Sequence, residues 1–155
     1  MQHVRPKTNE WFTYFPEDYR WSAAIGGMLG LAVVGASDMG EIDRTARKLK
    51  NKLGDDEAWF FTWQKLGDEL KHKSEDCENK GHTISASIFY LRASCYYQWG
   101  ERFRTVKDDH ALNVYRKSVE CFHKHAQLSV SPKIEIVEVP YEGKFLPGHF
   151  VHAEN

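Results

Sequence analysis

The chain has 155 residues, 21 basic and 22 acidic side chains and a net charge of −1 at neutral pH, so its overall charge favours neither nucleic acid nor an anionic membrane. Aromatic residues make up 14% of it, which excludes a disordered chain and fits a single domain with a real core. Cys77, Cys95 and Cys121 lie far apart with no CxxC; their odd number excludes a complete disulfide framework and points to reduced thiols in a cytoplasmic protein.

Residues 1–17 read as irregular, with Trp11, Phe12, Tyr14 and Phe15 forming an aromatic arm before Pro16. They lack the apolar core of a signal peptide. A first helix is expected from about Asp18 to Gly35. It contains the apolar run Ser22 to Ala36, whose 15 residues fall short of the roughly 20 that cross a bilayer. The GxxxG spacing of Gly26 and Gly30 then reads as a tightly packed core helix. Ser37 or Asp38 starts a short amphipathic helix, EIDRTARKLKNK, which Gly54 ends. Asp55, Asp56 and Glu57 place acid at the start of a long third helix reaching about Asn79. Trp59, Phe60, Trp63, Leu66 and Leu70 form its apolar stripe, and KHKSEDCENKG beyond Leu70 reads as solvated.

The stretch from Gly81 to Phe103 carries one charge, Arg92, between His82 and Glu101. Ile84, Ile88, Leu91, Cys95 and Trp99 make one stripe at helical spacing; Ala86, Tyr90, Ala93 and Tyr97 make a second. A helix apolar round most of its circumference is normally surrounded by other helices. The spacing therefore predicts the central helix of a helical domain, capped by Thr83 or Ser85. After RTVKDD a further helix is expected from about His110 to Leu128, with Ala111, Val114, Tyr115, Val119, Phe122 and Ala126 inward. At Ser129 the pattern changes to alternation: Ile134, Ile136, Val137 and Val139 interleave with Glu135 and Glu138, a strand signature. Pro140 to Lys144 reads as a turn, and Phe145 to His152 as the returning strand. A lone hairpin is not a stable unit; it needs a sheet that these helices cannot supply.

Catalytic motifs are missing. There is no P-loop, GxGxxG or HExxH, and Gly35-Ala36-Ser37-Asp38-Met39 lacks the second glycine of a nucleophile elbow. His123 and His125, two residues apart, point to different sides of a helix, and His149 and His152 have no carboxylate or cysteine at ligand spacing; neither pair predicts a metal. Arg92 in an apolar helix must find a partner, because an unpaired buried charge is costly. An ion pair with Glu120 or Asp68 is one reading, and contact with a substrate carboxylate or phenolate is the other. Trp63, Leu66, Gly67, Leu70 and Ala86 partly fit a tetratricopeptide repeat, without a second copy at its period.

The order of several motifs resembles one family. Asp55, Trp59 and Trp63 come first, then Gly81-His82 with Ser85-Ala86, then Tyr90-Leu91-Arg92-Ala93-Ser94 with Tyr96-Tyr97, and last Pro140-Tyr141-Glu142-Gly143 with Leu146-Pro147-Gly148. This order, from about Phe15 to Val151, is similar to the α/β-hydrolases that include 2,6-dihydroxypseudooxynicotine hydrolase and fungal polyketide chain-shortening hydrolases. The resemblance implies a mainly α fold: a helical cap-type domain over residues 1–130, then a β-hairpin over 131–155 that would begin an α/β-hydrolase sheet. It implies hydrolysis of carbon–carbon bonds beside ketones, or of esters, by a Ser–Asp–His triad with an oxyanion hole. The family's triad groups have no counterparts in this sequence, so no catalytic residue, metal or cofactor is expected on it. Trp21, Arg92 and Tyr97 are the residues expected to line the substrate pocket. The partners implied are the missing hydrolase domain, on the same or a separate chain, a small aromatic, ketone or ester substrate in the complete enzyme, and a second copy in a homodimer. The alternatives are a tetratricopeptide-like interaction module and a small helical ligand-binding protein.

Overall fold

A computed structural model describes residues 13–153; Trp11 and Phe12 of the expected aromatic arm lie outside them. Aspartates start four of the five helices. Asp18, Asp38, Asp55 and Asp108 each accept a hydrogen bond from the backbone amide three residues on, satisfying a donor that the first helical turn leaves unpaired. The helices that follow are α1, Tyr19–Gly30, continued by a 3-10 turn at Leu31–Val34; α2, Met39–Ala46, continued by another at Arg47–Leu49; α3, Asp56–Asn79; and α5, Asp109–Leu128. The remaining helix, α4, spans Thr83–Glu101. Its N-cap position is His82 with no side-chain bond, so neither Thr83 nor Ser85 caps it.

The α3–α4 corner is set by Gly81 at φ 76°. The Gly81 amide donates to Glu78 O and the His82 amide to Cys77 O, both at 2.9 Å, the paired closing bonds that a left-handed glycine permits at a helix end. α3 and α4 then run back to back at close range. A Cβ on Gly67 would lie 2.6 Å from the Tyr97 ring, so only glycine lets that ring lie flat on α3. Trp21, Trp59, Phe60, Trp63, Tyr90, Tyr96 and Tyr97 fill the core. The close glycine contact of α1 is at Gly27, against Trp99, while Gly30 of the GxxxG pair faces open space.

α4 lies between α3 and α5, yet it is not surrounded. The Ala86, Tyr90, Ala93 and Tyr97 stripe is buried, whereas Ile84 is 75% and Ile88 40% exposed. The end of α3 is largely solvated, as its sequence suggests, with one exception. Ser74 is fully buried, because α5 packs alongside: Lys71 pairs with Glu120 and Lys124 with Glu78. Tyr115 is also on the surface, 54% exposed, with Ser118 and Cys121 taking the inward positions of α5.

The hairpin pairs β1, Ile134–Tyr141, with β2, Lys144–Val151, antiparallel. The turn is tighter than expected, with Pro140 and Tyr141 belonging to β1. Its two residues, Glu142 and Gly143, have φ of 48° and 74°, the left-handed pair that matches the twist of flanking strands. Opposed residues share a face. Ile134, Ile136 and Pro140 therefore stand with Val151, His149 and Phe145 on one face, and Val137 and Val139 with Gly148 and Leu146 on the other. Both faces are mainly apolar, with Glu138 on the first and Glu135 and Lys144 on the second, and most of the apolar side chains are exposed.

Candidate functional site

The three residues expected to line a pocket sit at three different helix contacts. Trp21 is fully buried in α1, packed on Phe15 and Trp59, and its indole N–H donates to Asp56 Oδ1 at 3.2 Å. Tyr97 is fully buried between α3 and α5; its hydroxyl donates to Asp68 at 2.7 Å and the Lys117 ammonium stands over its ring. Burial, with Asp68 beside it, holds the Tyr97 phenol well above its usual range. Arg92 reaches neither Glu120 nor Asp68. Its guanidinium pairs with Glu41 of α2 at 3.3 Å, and the other Glu41 oxygen accepts the Tyr96 hydroxyl at 2.9 Å. Asp68 is instead held by Tyr97 and Lys117, and Glu120 by Lys71. The Arg92–Glu41 pair spans 51 residues, so no helical spacing could have named it.

The arrangement that the sequence did not single out is a trough where the hairpin meets the helices. Ser94 and Gln98 of α4, Tyr115, Ser118, Val119 and Phe122 of α5, and His149 of β2 enclose about 300 Å³. His149 positions the hairpin there, its ring 4.6 Å from Phe122 and 5.6 Å from His123. Tyr115, Val119 and Phe122, three positions on the expected apolar stripe of α5, were its signal in the sequence. Ser87 and His125 also meet, Oγ to Nδ1 at 2.9 Å. The same nitrogen lies 3.1 Å from the Ser87 carbonyl, and burial lowers the His125 pKa. An imidazole N–H donating to that carbonyl is not free to take the hydroxyl proton; the contact ties α4 to α5.

Burial pushes the Cys95 and Cys121 thiols up to about 12, which leaves them unreactive at neutral pH. Among the described residues no group of three or more His, Cys, Asp or Glu could hold a metal ion. Nor is any helix there long and apolar enough to cross a membrane.

No protein-family model matches the chain. Hydrolase acrC of Aspergillus aculeatus is 29% identical to it over 133 residues, 84% of this chain and 30% of that protein. Alpha/beta hydrolase ucsC of an Acremonium species is 26% identical over 140 residues, 84% of this chain and 28% of its own length. The crystal structure of 2,6-dihydroxy-pseudo-oxynicotine hydrolase has the same fold with a TM-score of 0.58 at 21% identity, over 77% of this chain and 32% of that one. The chain thus spans less than a third of the length of the curated relatives it matches. These likenesses favour the hydrolase reading over the tetratricopeptide-like module.

Proposed function

This chain is related to the α/β-hydrolases over part of their length, and we propose that it forms the helical covering portion of such an enzyme together with the first hairpin of its sheet. The observation that carries the proposal is the hairpin. A strand pair mainly apolar on both faces belongs inside a sheet covered on both sides, and the helices here cover little of either face. Val139, Phe145, Leu146 and Phe150 are each 50% exposed or more. Further strands and helices would bury them and close the free backbone edges.

In that enzyme the helical portion shapes an apolar pocket and keeps water from the reacting groups. The reaction is hydrolysis of an ester or of a carbon–carbon bond beside a ketone, and the nucleophile, acid and histidine come from outside these residues. The trough at His149 is the part of the helical surface nearest the start of the sheet. Trp21 and Tyr97, closed into the core, act as supports for the fold, and Arg92 holds α2 against α4 through Glu41.

The test is the native protein in its source. A product more than twice this length, with a GxSxG segment following the hairpin, is expected, and it should cleave esters or β-diketones where the 155-residue chain does not. A native product of this size that co-purifies with no hydrolase chain would sink the proposal.

A further inference from the structure

We infer that the trough between α4, α5 and β2 binds a small, uncharged, planar molecule bearing one hydrogen-bonding group. Its volume of about 300 Å³ is at the lower end of small-molecule sites. Tyr115, Val119 and Phe122 come from successive turns of α5 and form an apolar and aromatic wall. The floor is spoken for: Ser118 Oγ donates to Ser94 O at 2.9 Å, and the two hydroxyl oxygens lie 3.3 Å apart. The polar groups left over are the Tyr115 hydroxyl, the Gln98 amide and the His149 imidazole. None of the three has a hydrogen-bond partner among the described residues.

No lining residue carries a fixed charge. A charged ligand would lose water there with no ion to meet it, whereas a flat ring would stack on the wall and direct a hydroxyl or carbonyl at Gln98 or His149. The neighbouring cavity on α5 makes the contrast. It is lined by Arg116, Glu120, His123 and Lys124, and its Glu120 and Lys124 are already paired with Lys71 and Glu78. The inference goes beyond the hydrolase reading by assigning a ligand class to this trough.

Naphthol, naphthoate and naphthylmethylammonium share a ring system and differ in charge. Each is titrated into the 155-residue chain while the Gln98 side-chain amide and His149 ring signals are followed by NMR. Naphthol is expected to shift both signals saturably and to bind at least about tenfold more tightly than either ion. Val119→Trp, which fills the trough, should weaken naphthol about tenfold or more with the helical circular dichroism retained. Should that variant not fold, Tyr115→Ala, a surface truncation, should weaken it about fivefold. Equal affinity for all three probes overturns the site. So does binding that the folded variants leave undiminished, with shifts confined to the hairpin; the trough is then a face covered by polypeptide.

Discussion

In the helices Trp21, Trp59, Trp63, Tyr96 and Tyr97 have no exposed surface, whereas in the hairpin Val139, Phe145, Leu146 and Phe150 keep half of theirs or more. The two regions are similarly apolar in sequence. They differ in whether a partner is present: α3, α4 and α5 bury one another, while β1 and β2 have only each other and the end of α5. Burying a large apolar side chain contributes about 1.5–3 kcal/mol. That free energy is already realised in the helical body and is still outstanding in the hairpin. Stability therefore resides in the helices, and the exposed apolar surface in the strands.

The comparison can be broken most forcefully in the core. Trp59 touches Trp21, Trp63 and Phe103, and its indole donates to Trp99 O at 2.9 Å. Trp59→Ala should cost about 3–5 kcal/mol in urea denaturation, and a loss under 1 kcal/mol would mean that the body is not packed as described. Arg92→Ala comes next. It leaves Glu41, 6% exposed, with Tyr96 alone, and should cost about 1–3 kcal/mol, less than for a fully buried pair. A complete enzyme carrying this change with normal stability and an altered KM would instead assign Arg92 to substrate.

A smaller effect is expected at the start of α5. Hydrogen bonds from Arg104, and then from the Ala111 amide, hold the Asp108 carboxyl at about 2 against the usual 3.8. The folded state thus resists protonation, so the pair's contribution is fully present above pH 3.8 and is lost as pH falls towards 2. Asp108→Asn keeps an N-cap acceptor and should flatten that part of the acid-unfolding curve. The smallest change in stability is expected in the hairpin. Val139→Lys with Leu146→Lys should move the unfolding free energy by no more than about 0.5 kcal/mol, yet reduce self-association in sedimentation velocity. A large loss of stability would show that the strands already have their partner.

Much of this contrast was legible in the residues. Asp18, Asp38 and Asp55 mark helix starts chemically, and the alternation after Ser129 marks the strands. The partial tetratricopeptide match also had a physical basis. Trp63, Leu66, Gly67, Leu70 and Ala86 are all buried, and Gly67 under Tyr97 gives the close antiparallel helix pair that such repeats also use. What stayed hidden depends on contacts between distant segments. With apolar residues on most of α4, periodicity could not choose which stripe faces inward; α3 takes the Tyr90 and Tyr97 side and α5 the Ser87 and Ser94 side, leaving Ile84 exposed. The Arg92–Glu41 pair and the trough at His149 each join elements far apart in sequence. The hydrolase kinship came from motif order, and the residues it suggested for a pocket proved to lie apart.

The tight turn at Glu142 and Gly143 bears on how the protein is made. Each helix packs chiefly on its neighbour in sequence, so the helical body can assemble from local contacts while synthesis continues. The turn sets the strand register without help from elsewhere, and the hairpin emerges after that body. On the proposed function, a nascent chain at this stage presents a finished template with open edges until the strands that pair with it are made. Translation speed and chaperone occupancy at these strands, more than the strength of any helix, would then decide between a completed sheet and an aggregate.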